Sequence, residues 1–158
     1  MSNYAYVATR ARSRRSRLLP AEAYNQLLNL EHAEIARYIQ DLEYRREIDR
    51  YGSTLSGADL IETALVDNLA KDVGDFLSFS KGKLRDILHV YAEKYRIENL
   101  KNIVRGINQS MDKQNLERLV CPINDSDKEL YNKLYDSKTV EDMISSLEGT
   151  SYYNPMKK

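Results

Sequence analysis

The chain has 158 residues, of which 24 are basic and 24 acidic, so its formal net charge is zero; this balance excludes the overall positive field of a dedicated nucleic-acid-binding protein. The single cysteine, Cys121, excludes an internal disulfide and a zinc site with four thiolates. Only six glycines and three prolines interrupt the sequence, which favours an all-α fold over a turn-rich sheet.

The first predicted helix, over about residues 4–17, carries a cluster of arginines. They are Arg10, Arg12, Arg14, Arg15 and Arg17. Three interpretations stay open for this cluster: a phosphate-contacting arm, a docking face for an acidic partner, or a solvated and salt-bridged helix surface. The neutral net charge makes the phosphate-contacting arm the least favoured of the three. An apolar strip that includes the small residues Ala8 and Ala11 would allow another helix to approach closely.

Two short helices are predicted next, over about residues 20–30 and 31–42, followed by a long helix over about residues 58–78 with Ser56 as its N-terminal cap. Two further apolar stripes, beginning at Leu84 and at Leu100, differ in phase by about one residue. This difference predicts a kink or break near residues 96–98. Gly106 is predicted to end the helix.

The last part of the chain resembles an earlier part. Residues 130–135 align with residues 23–28 at an offset of 107, and the following matches share an offset of 108. Those matches pair Glu34, Ile35, Ile39 and Tyr44 with Asp142, Met143, Leu147 and Tyr152. We therefore predict a first helical module over residues 1–118 and the beginning of a second, incomplete module over residues 119–158. Capping boxes are predicted for the second module at Ser126 with Glu129 and at Thr139 with Asp142.

The sequence contains no recognisable catalytic, nucleotide-binding or metal-binding motif. His32 and His89 lie far apart and outside any metal-binding spacing, and no glycine-rich phosphate loop is present. We therefore predict no catalytic residue, no cofactor-binding residue and no metal ligand. No segment approaches the roughly 20 apolar residues of a membrane-spanning helix. Together with the lone cysteine, this predicts a cytoplasmic protein.

Three segments together carry a family resemblance. Residues 4–12 read YAYVATRAR, residues 95–106 read YRIENLKNIVRG, and residues 139–153 read TVEDMISSLEGTSYY. In this order they resemble the C subunit of archaeal-type (A-type) ATP synthases, which is related to the d subunit of vacuolar-type ATPases. The second segment departs from the family pattern, because Arg96 stands where the family usually has an aspartate. That difference puts in doubt any inward salt bridge that the acid would make.

The resemblance implies a non-catalytic socket in the central stalk of a rotary ATPase. Such a protein couples the central shaft to the membrane rotor ring, for proton or sodium transport linked to ATP synthesis or hydrolysis. It would be peripheral to the cell membrane through the ring, and it would bind no nucleic acid. The alternative is a helical nucleic-acid-binding or adaptor module that uses the arginine-rich first helix.

The resemblance also suggests interface residues and an incomplete fold. Arg10, Arg12, Arg14 and Arg17 are expected to form a charged interface or a bridge between modules. Asn99, Lys101 and Arg105 are expected to organise the turn after the third apolar stripe. Family members consist of three similar modules, whereas this chain ends shortly into the second. Residues from about 119 onward are therefore expected either to pack on the first module or to be mobile. We predict this part to be the least ordered, or to self-associate with another copy.

Overall fold

The computed structural model describes residues 3–157, and within this range every regular element is a helix. The helices are α1 (Tyr4–Arg15), α2 (Ala21–Leu27), α3 (His32–Gln40), α4 (Arg45–Tyr51), α5 (Gly57–Phe79), α6 (Lys83–Asn108), α7 (Lys113–Arg118), α8 (Asp125–Leu134), α9 (Val140–Ser146) and α10 (Tyr153–Met156). The predicted all-α fold is confirmed.

Packing divides the chain into two compact units, the first ending at Leu88 and the second beginning at His89. The predicted module boundary after residue 118 was inferred from the sequence repeat. The division by packing does not test it, so it stays a prediction. Residues 1, 2 and 158, which fall inside the two predicted modules, lie outside the described residues.

The first unit is built around the N-terminal half of α5. Leu60 and Ala64 of α5 pack against Ala36 and Ile39 of α3 and against Ile48 of α4. The helix α4 fills the stretch between the predicted short and long helices, where the sequence pattern indicates no helix. The long helix itself is confirmed to within a residue at each end, with Ser56 in the N-cap position.

The core of the second unit is formed by the C-terminal half of α6 together with α7, α8 and α9. Its buried members are Leu100, Ile103, Ile107, Leu116, Val120, Tyr131, Leu134, Tyr135, Met143 and Leu147. Residues after 119 therefore pack on the preceding helices, which is one of the two arrangements expected for them. The further prediction, that this part is the least ordered or pairs with another copy, stays a prediction. Burying apolar side chains of this kind stabilises a fold by roughly 1.5 to 3 kcal/mol each.

The predicted break near residues 96–98 is wrong, because α6 runs without interruption from Lys83 to Asn108. The buried side of α6 is continuous in this region because two polar residues belong to it. Ala92, Arg96, Asn99 and Ile103 succeed one another on that side at spacings of four, three and four. A pattern of apolar residues alone omits Arg96 and Asn99, and it therefore indicates a change of phase.

Gly106 does not end α6, which continues to Asn108. It is buried, and a Cβ atom at this position would overlap the side chain of Leu116 on α7. The chain leaves the helix two residues after its end, at Ser110, whose φ of 55° is left-handed, and the Met111 N–H donates to the Gly106 carbonyl over 3.0 Å. Because Gly106 has no side chain, α7 can pack closely against α6 at this position.

Candidate partner interface

Arg14 is held inside the first unit by two carboxylates of α5. Its Nη1 lies 2.6 Å from Asp72 Oδ1 and its Nη2 lies 2.5 Å from Asp75 Oδ2. The guanidinium also covers the ring of Phe76, with 5.2 Å between Cζ and the ring centroid. Burial raises the pKa of Asp72 in spite of the opposing charge of Arg14. This arginine therefore fastens α1 to α5.

Arg10, on the same side of α1 as Arg14, and Arg17, two residues after the end of α1, have partners of their own. The Arg10 guanidinium lies over the rings of Tyr6 and Phe79, at 5.2 and 5.3 Å from their centroids. Arg17 Nη1 lies 3.0 Å from Glu43 Oε2, with both side chains about half exposed. Exposed ion pairs of this kind are weak, so Arg17 contributes less to the fold than Arg14.

Arg12 differs from these three arginines in having a solvent-exposed side chain that makes no ion pair or hydrogen bond within residues 3–157. Arg15 shares this property and lies three residues away on the same side of α1. The four arginines predicted to form one interface therefore divide into two groups. Arg10, Arg14 and Arg17 are engaged within the first unit, and the Arg12 side chain is exposed to solvent.

The predicted apolar strip of α1 is mostly exposed. Val7 is its one buried member, whereas Tyr4 is 52% exposed and Ala8 and Ala11 are also exposed. The helix is instead anchored at its start by Asn3, whose side chain donates to the Phe79 carbonyl and accepts from the Lys81 N–H. Much of the surface of α1 is consequently open to a partner.

Asn99 is buried in the second unit and organises the segment between α7 and α8. Its Nδ2 donates to the Cys121 carbonyl over 2.9 Å, and its Oδ1 accepts from the Cys121 N–H over 3.3 Å. Asn102, one turn along α6, donates similarly to the Leu119 carbonyl over 3.1 Å. The Asn99 side chain thus forms hydrogen bonds with backbone groups of a segment that is distant in sequence. This segment lies beyond the turn that directly follows α6.

Lys101 and Arg105 are exposed on α6 and contact residues of the same helix. Lys101 Nζ lies 2.8 Å from Glu98 Oε1, and Arg105 donates to the Asn102 side chain over 3.1 Å. Their predicted part in organising a turn stays a prediction. The structure separates them from Asn99, which faces the core.

Sequence analysis missed a buried charge network around Arg96. Arg96 Nε lies 2.9 Å from Asp127 Oδ1, and its Nη1 lies 2.6 Å from Glu93 Oε1, with Arg96 and Asp127 about nine-tenths buried. The Tyr152 hydroxyl donates to Glu93 over 2.7 Å. An inward salt bridge therefore exists, with the base on α6 and the acid on α8. The spacing from Ala92 to Ile103 could have revealed Arg96 as a buried position.

These contacts hold helices in fixed positions, and no group of three or more potential metal ligands comes together among residues 3–157. In that same range, each helix lacks either the length or the apolar character needed to cross a membrane. Within each unit, the helices expose charged surfaces.

Comparison with known proteins identifies the family. The model of the family described as ATP synthase (C/AC39) subunit matches residues 7–158. The chain belongs to this family. Similar relatives are the C subunits of the A-type ATP synthases of Haloferax volcanii, 37% identical, and of Archaeoglobus fulgidus, 34% identical. The match covers 96% of this chain and 43% of the Haloferax protein, and 98% of this chain and 45% of the Archaeoglobus protein.

This member of the ATP synthase (C/AC39) subunit family thus spans less than half the length of the curated relatives it matches. A third relative, the C subunit of the A-type ATP synthase of Methanococcoides burtonii, is 33% identical over 99% of this chain and 44% of its own length. The suspected resemblance is confirmed for nearly the whole chain.

Proposed function

We propose that this chain is part of a non-catalytic central-stalk component of an A-type or V-type rotary ATPase. This component acts as a socket between the central shaft and the membrane rotor ring. It transmits torque between ATP chemistry and the transport of protons or sodium ions. It lies in the cytoplasm and is peripheral to the membrane through the ring. The observation that carries this proposal is the family match over residues 7–158.

The fold supports a mechanical role. Two of its helices are long, α5 with 23 residues and α6 with 26, and close-packed side chains around them resist deformation. The buried ion pair of Arg96 with Asp127 adds geometric restraint where α6 meets α8. A protein that transmits torque needs this kind of stiffness.

Affinity purification of the protein from its own cells tests the proposal. We expect the central-shaft subunits and the rotor ring to be retained through washes at moderate salt. Recovery of the protein alone, from cells in which the ATPase is assembled, would contradict the proposal.

We further propose that Arg12 takes part directly in the interface with other subunits, while Arg10, Arg14 and Arg17 support it by fixing α1. Arg12→Glu is expected to lower recovery of the complex without changing the thermal stability of the chain. Arg14→Ala is expected to destabilise the first unit by about 1 to 2 kcal/mol. Arg45→Glu, an exposed arginine of α4 with the same change in charge, is the matched control.

The alternative function, a nucleic-acid-binding or adaptor module, receives less support. Three of the arginines that would contact phosphates are engaged by aromatic rings or carboxylates of the first unit. A nucleic-acid-binding module would bind RNA or DNA with an affinity that falls steeply as salt rises. We expect no such binding.

A further inference from the structure

A recess of about 370 Å³ lies along one face of α1 in the first unit. The residues that line it recur at spacings of three and four, as neighbours on a helix surface do. They are Tyr6, Thr9, Arg10, Ser13, Arg14 and Arg17. Three of these six residues are arginines, and α1 itself contains no acidic residue. The recess is therefore lined mainly by cationic and hydroxyl-bearing side chains.

Two aromatic rings hold Arg10 in a fixed orientation within this recess. Its Cζ lies 5.2 Å from the centroid of Tyr6 and 5.3 Å from that of Phe79, and the two rings meet edge to face with their centroids 5.9 Å apart. Arg10 Nε also donates to the Tyr6 hydroxyl over 3.0 Å. A guanidinium that is already oriented loses less conformational freedom when it binds an anion.

The charge of Arg10 is not neutralised by an acidic residue. Arg14 and Arg17 each pair with carboxylates of the first unit. Among the described residues, by contrast, Arg10 has no carboxylate partner, and its Nη1 and Nη2 have no hydrogen-bond acceptor. The rings contact the face of the guanidinium, so the N–H groups at its edge are left for an anion.

Ser13 and Arg17 supply further donors to the same recess. The Ser13 hydroxyl is exposed and forms no hydrogen bond with any residue from 3 to 157. Arg17 uses Nη1 in its exposed pair with Glu43, which leaves Nε and Nη2 as donors. An anion in the recess thus meets N–H and O–H donors from three side chains.

This set of donors favours a phosphomonoester over a carboxylate. A carboxylate has one negative charge and two oxygens, whereas a phosphomonoester at neutral pH has nearly two charges and three terminal oxygens. The edge of the Arg10 guanidinium suits two phosphate oxygens, and the Ser13 hydroxyl suits the third. A nucleic acid needs a longer track of cations without partners, and Arg14 and Arg17 are already paired.

We propose that the recess along α1 binds a phosphomonoester through Arg10, Ser13 and Arg17. Arg10 provides the uncompensated charge and a bidentate contact, while Ser13 and Arg17 bind the remaining phosphate oxygens. The group can belong to a small soluble molecule or to a lipid headgroup, because both present the same three oxygens. The inference is independent of the proposed function, since it rests on contacts within the first unit.

Titration of the isotopically labelled chain with glycerol 3-phosphate, followed by NMR, tests the proposal. We expect saturable shifts of the amide resonances of Arg10 and Ser13. Acetate, which has fewer oxygens and less charge, should bind at least about tenfold more weakly.

Vesicles distinguish the two sources of the phosphate. Phosphatidylcholine vesicles that contain phosphatidic acid present a phosphomonoester, whereas vesicles that contain phosphatidylglycerol at the same total charge present a phosphodiester. Retention of the chain on the first vesicles alone would assign a lipid headgroup. Binding of glycerol 3-phosphate without retention on either kind of vesicle would assign a soluble ligand.

Variants of the recess identify the residues that bind. Arg10→Gln should weaken glycerol 3-phosphate binding at least about tenfold, and Arg10→Lys, which keeps the charge without the bidentate edge, should weaken it less. Ser13→Ala should weaken binding about threefold to tenfold without lowering the thermal stability, because its hydroxyl has no partner in the fold. Arg45→Gln, an exposed arginine of α4, is the matched control and should bind as the unchanged chain does.

Three results would overturn the proposal. One is an affinity for acetate equal to that for glycerol 3-phosphate. Another is unchanged binding in both the Arg10→Gln and the Ser13→Ala chains, with thermal denaturation showing that each is folded. The third is equal retention on the two kinds of anionic vesicle, which would mean that the surface responds to charge without recognising the phosphomonoester.

Discussion

At the scale of single residues, Arg96 has a large structural role that the apolar pattern of the sequence does not reveal. It ties Glu93 of its own helix to Asp127 of α8, and Asp127 in turn accepts from the Ile123 N–H over 3.2 Å. A buried ion pair of this kind is costly to break, because the remaining charge loses its partner in a region shielded from water.

Removing the charge of Arg96 alone is therefore expected to be strongly destabilising. Arg96→Met should lower the free energy of unfolding by about 3 kcal/mol, measured by urea denaturation. Lys101→Met, which breaks an exposed pair on the same helix, should cost no more than about 0.5 kcal/mol. Combining Arg96→Met with Asp127→Asn removes both charges of the buried Arg96–Asp127 pair and should restore roughly half of the loss. A cost for Arg96→Met as small as that of Lys101→Met would contradict this account.

Glu93 makes the stability of the second unit depend on pH. Burial on its own would raise the pKa of Glu93, but hydrogen bonds from Tyr152 and Arg96 outweigh it and lower the pKa below its ordinary value of 4.5. The unfolded chain binds the proton more readily than the folded one. The stabilisation is therefore complete above about pH 4.5 and is lost as the pH falls through the lowered folded-state value.

Denaturation between pH 5 and pH 3 should accordingly show a falling free energy of unfolding, with a slope that is reduced by Glu93→Gln. Tyr152→Phe should reduce the slope in part, because the Arg96 hydrogen bond remains. Glu129→Gln, an exposed change on α8, should leave the slope as it is. An unchanged slope in the Glu93→Gln chain would refute the assignment.

At the scale of elements, helix caps explain where α8 and α9 begin. The predicted capping box of Thr139 and Asp142 is confirmed, with the Asp142 N–H donating to Thr139 Oγ1 over 3.1 Å and the Thr139 N–H to Asp142 Oδ2 over 3.2 Å. The predicted box at Ser126 is wrong, because Asn124 caps α8 by accepting from the Asp127 N–H over 2.8 Å. Asp127 is thereby free to face Arg96.

Substitutions at Asn124 and at Ser126 should distinguish which of the two residues caps α8. Asn124→Ala should lower the free energy of unfolding by about 1 kcal/mol, since it removes a side-chain acceptor for a helix N–H. Ser126→Ala should change it by less than about 0.5 kcal/mol. Thermal denaturation followed by circular dichroism measures both. A larger loss from Ser126→Ala than from Asn124→Ala would restore the sequence-based assignment.

Helix positions could be predicted where apolar side chains recur regularly, as in α5, and where a capping pair is unambiguous, as in α9. The continuity of α6 could not, because its buried side includes Arg96 and Asn99, whose partners come from α8 and the segment before it. The arginines of α1 could be recognised as a cluster. Their division into engaged and open groups depends on partners distant in sequence, such as Asp72 and Asp75, which lie 58 and 61 positions from Arg14.

At the scale of the whole molecule, the chain consists of two helical units and belongs to a family of ATP synthase subunits. Its described residues bring together ion pairs and apolar contacts that hold helices in place. A socket in a rotary machine needs such contacts, because its task is to transmit force. Our proposal is that such a protein couples ATP chemistry to ion transport without taking part in the chemistry.

Ion pumping by the purified rotary ATPase in vesicles, with and without this protein, tests that claim most directly. The account predicts that removing the protein leaves ATP hydrolysis by the catalytic head intact and abolishes ATP-driven ion uptake, and that adding the protein back restores uptake. Undiminished ion uptake in its absence would contradict the account.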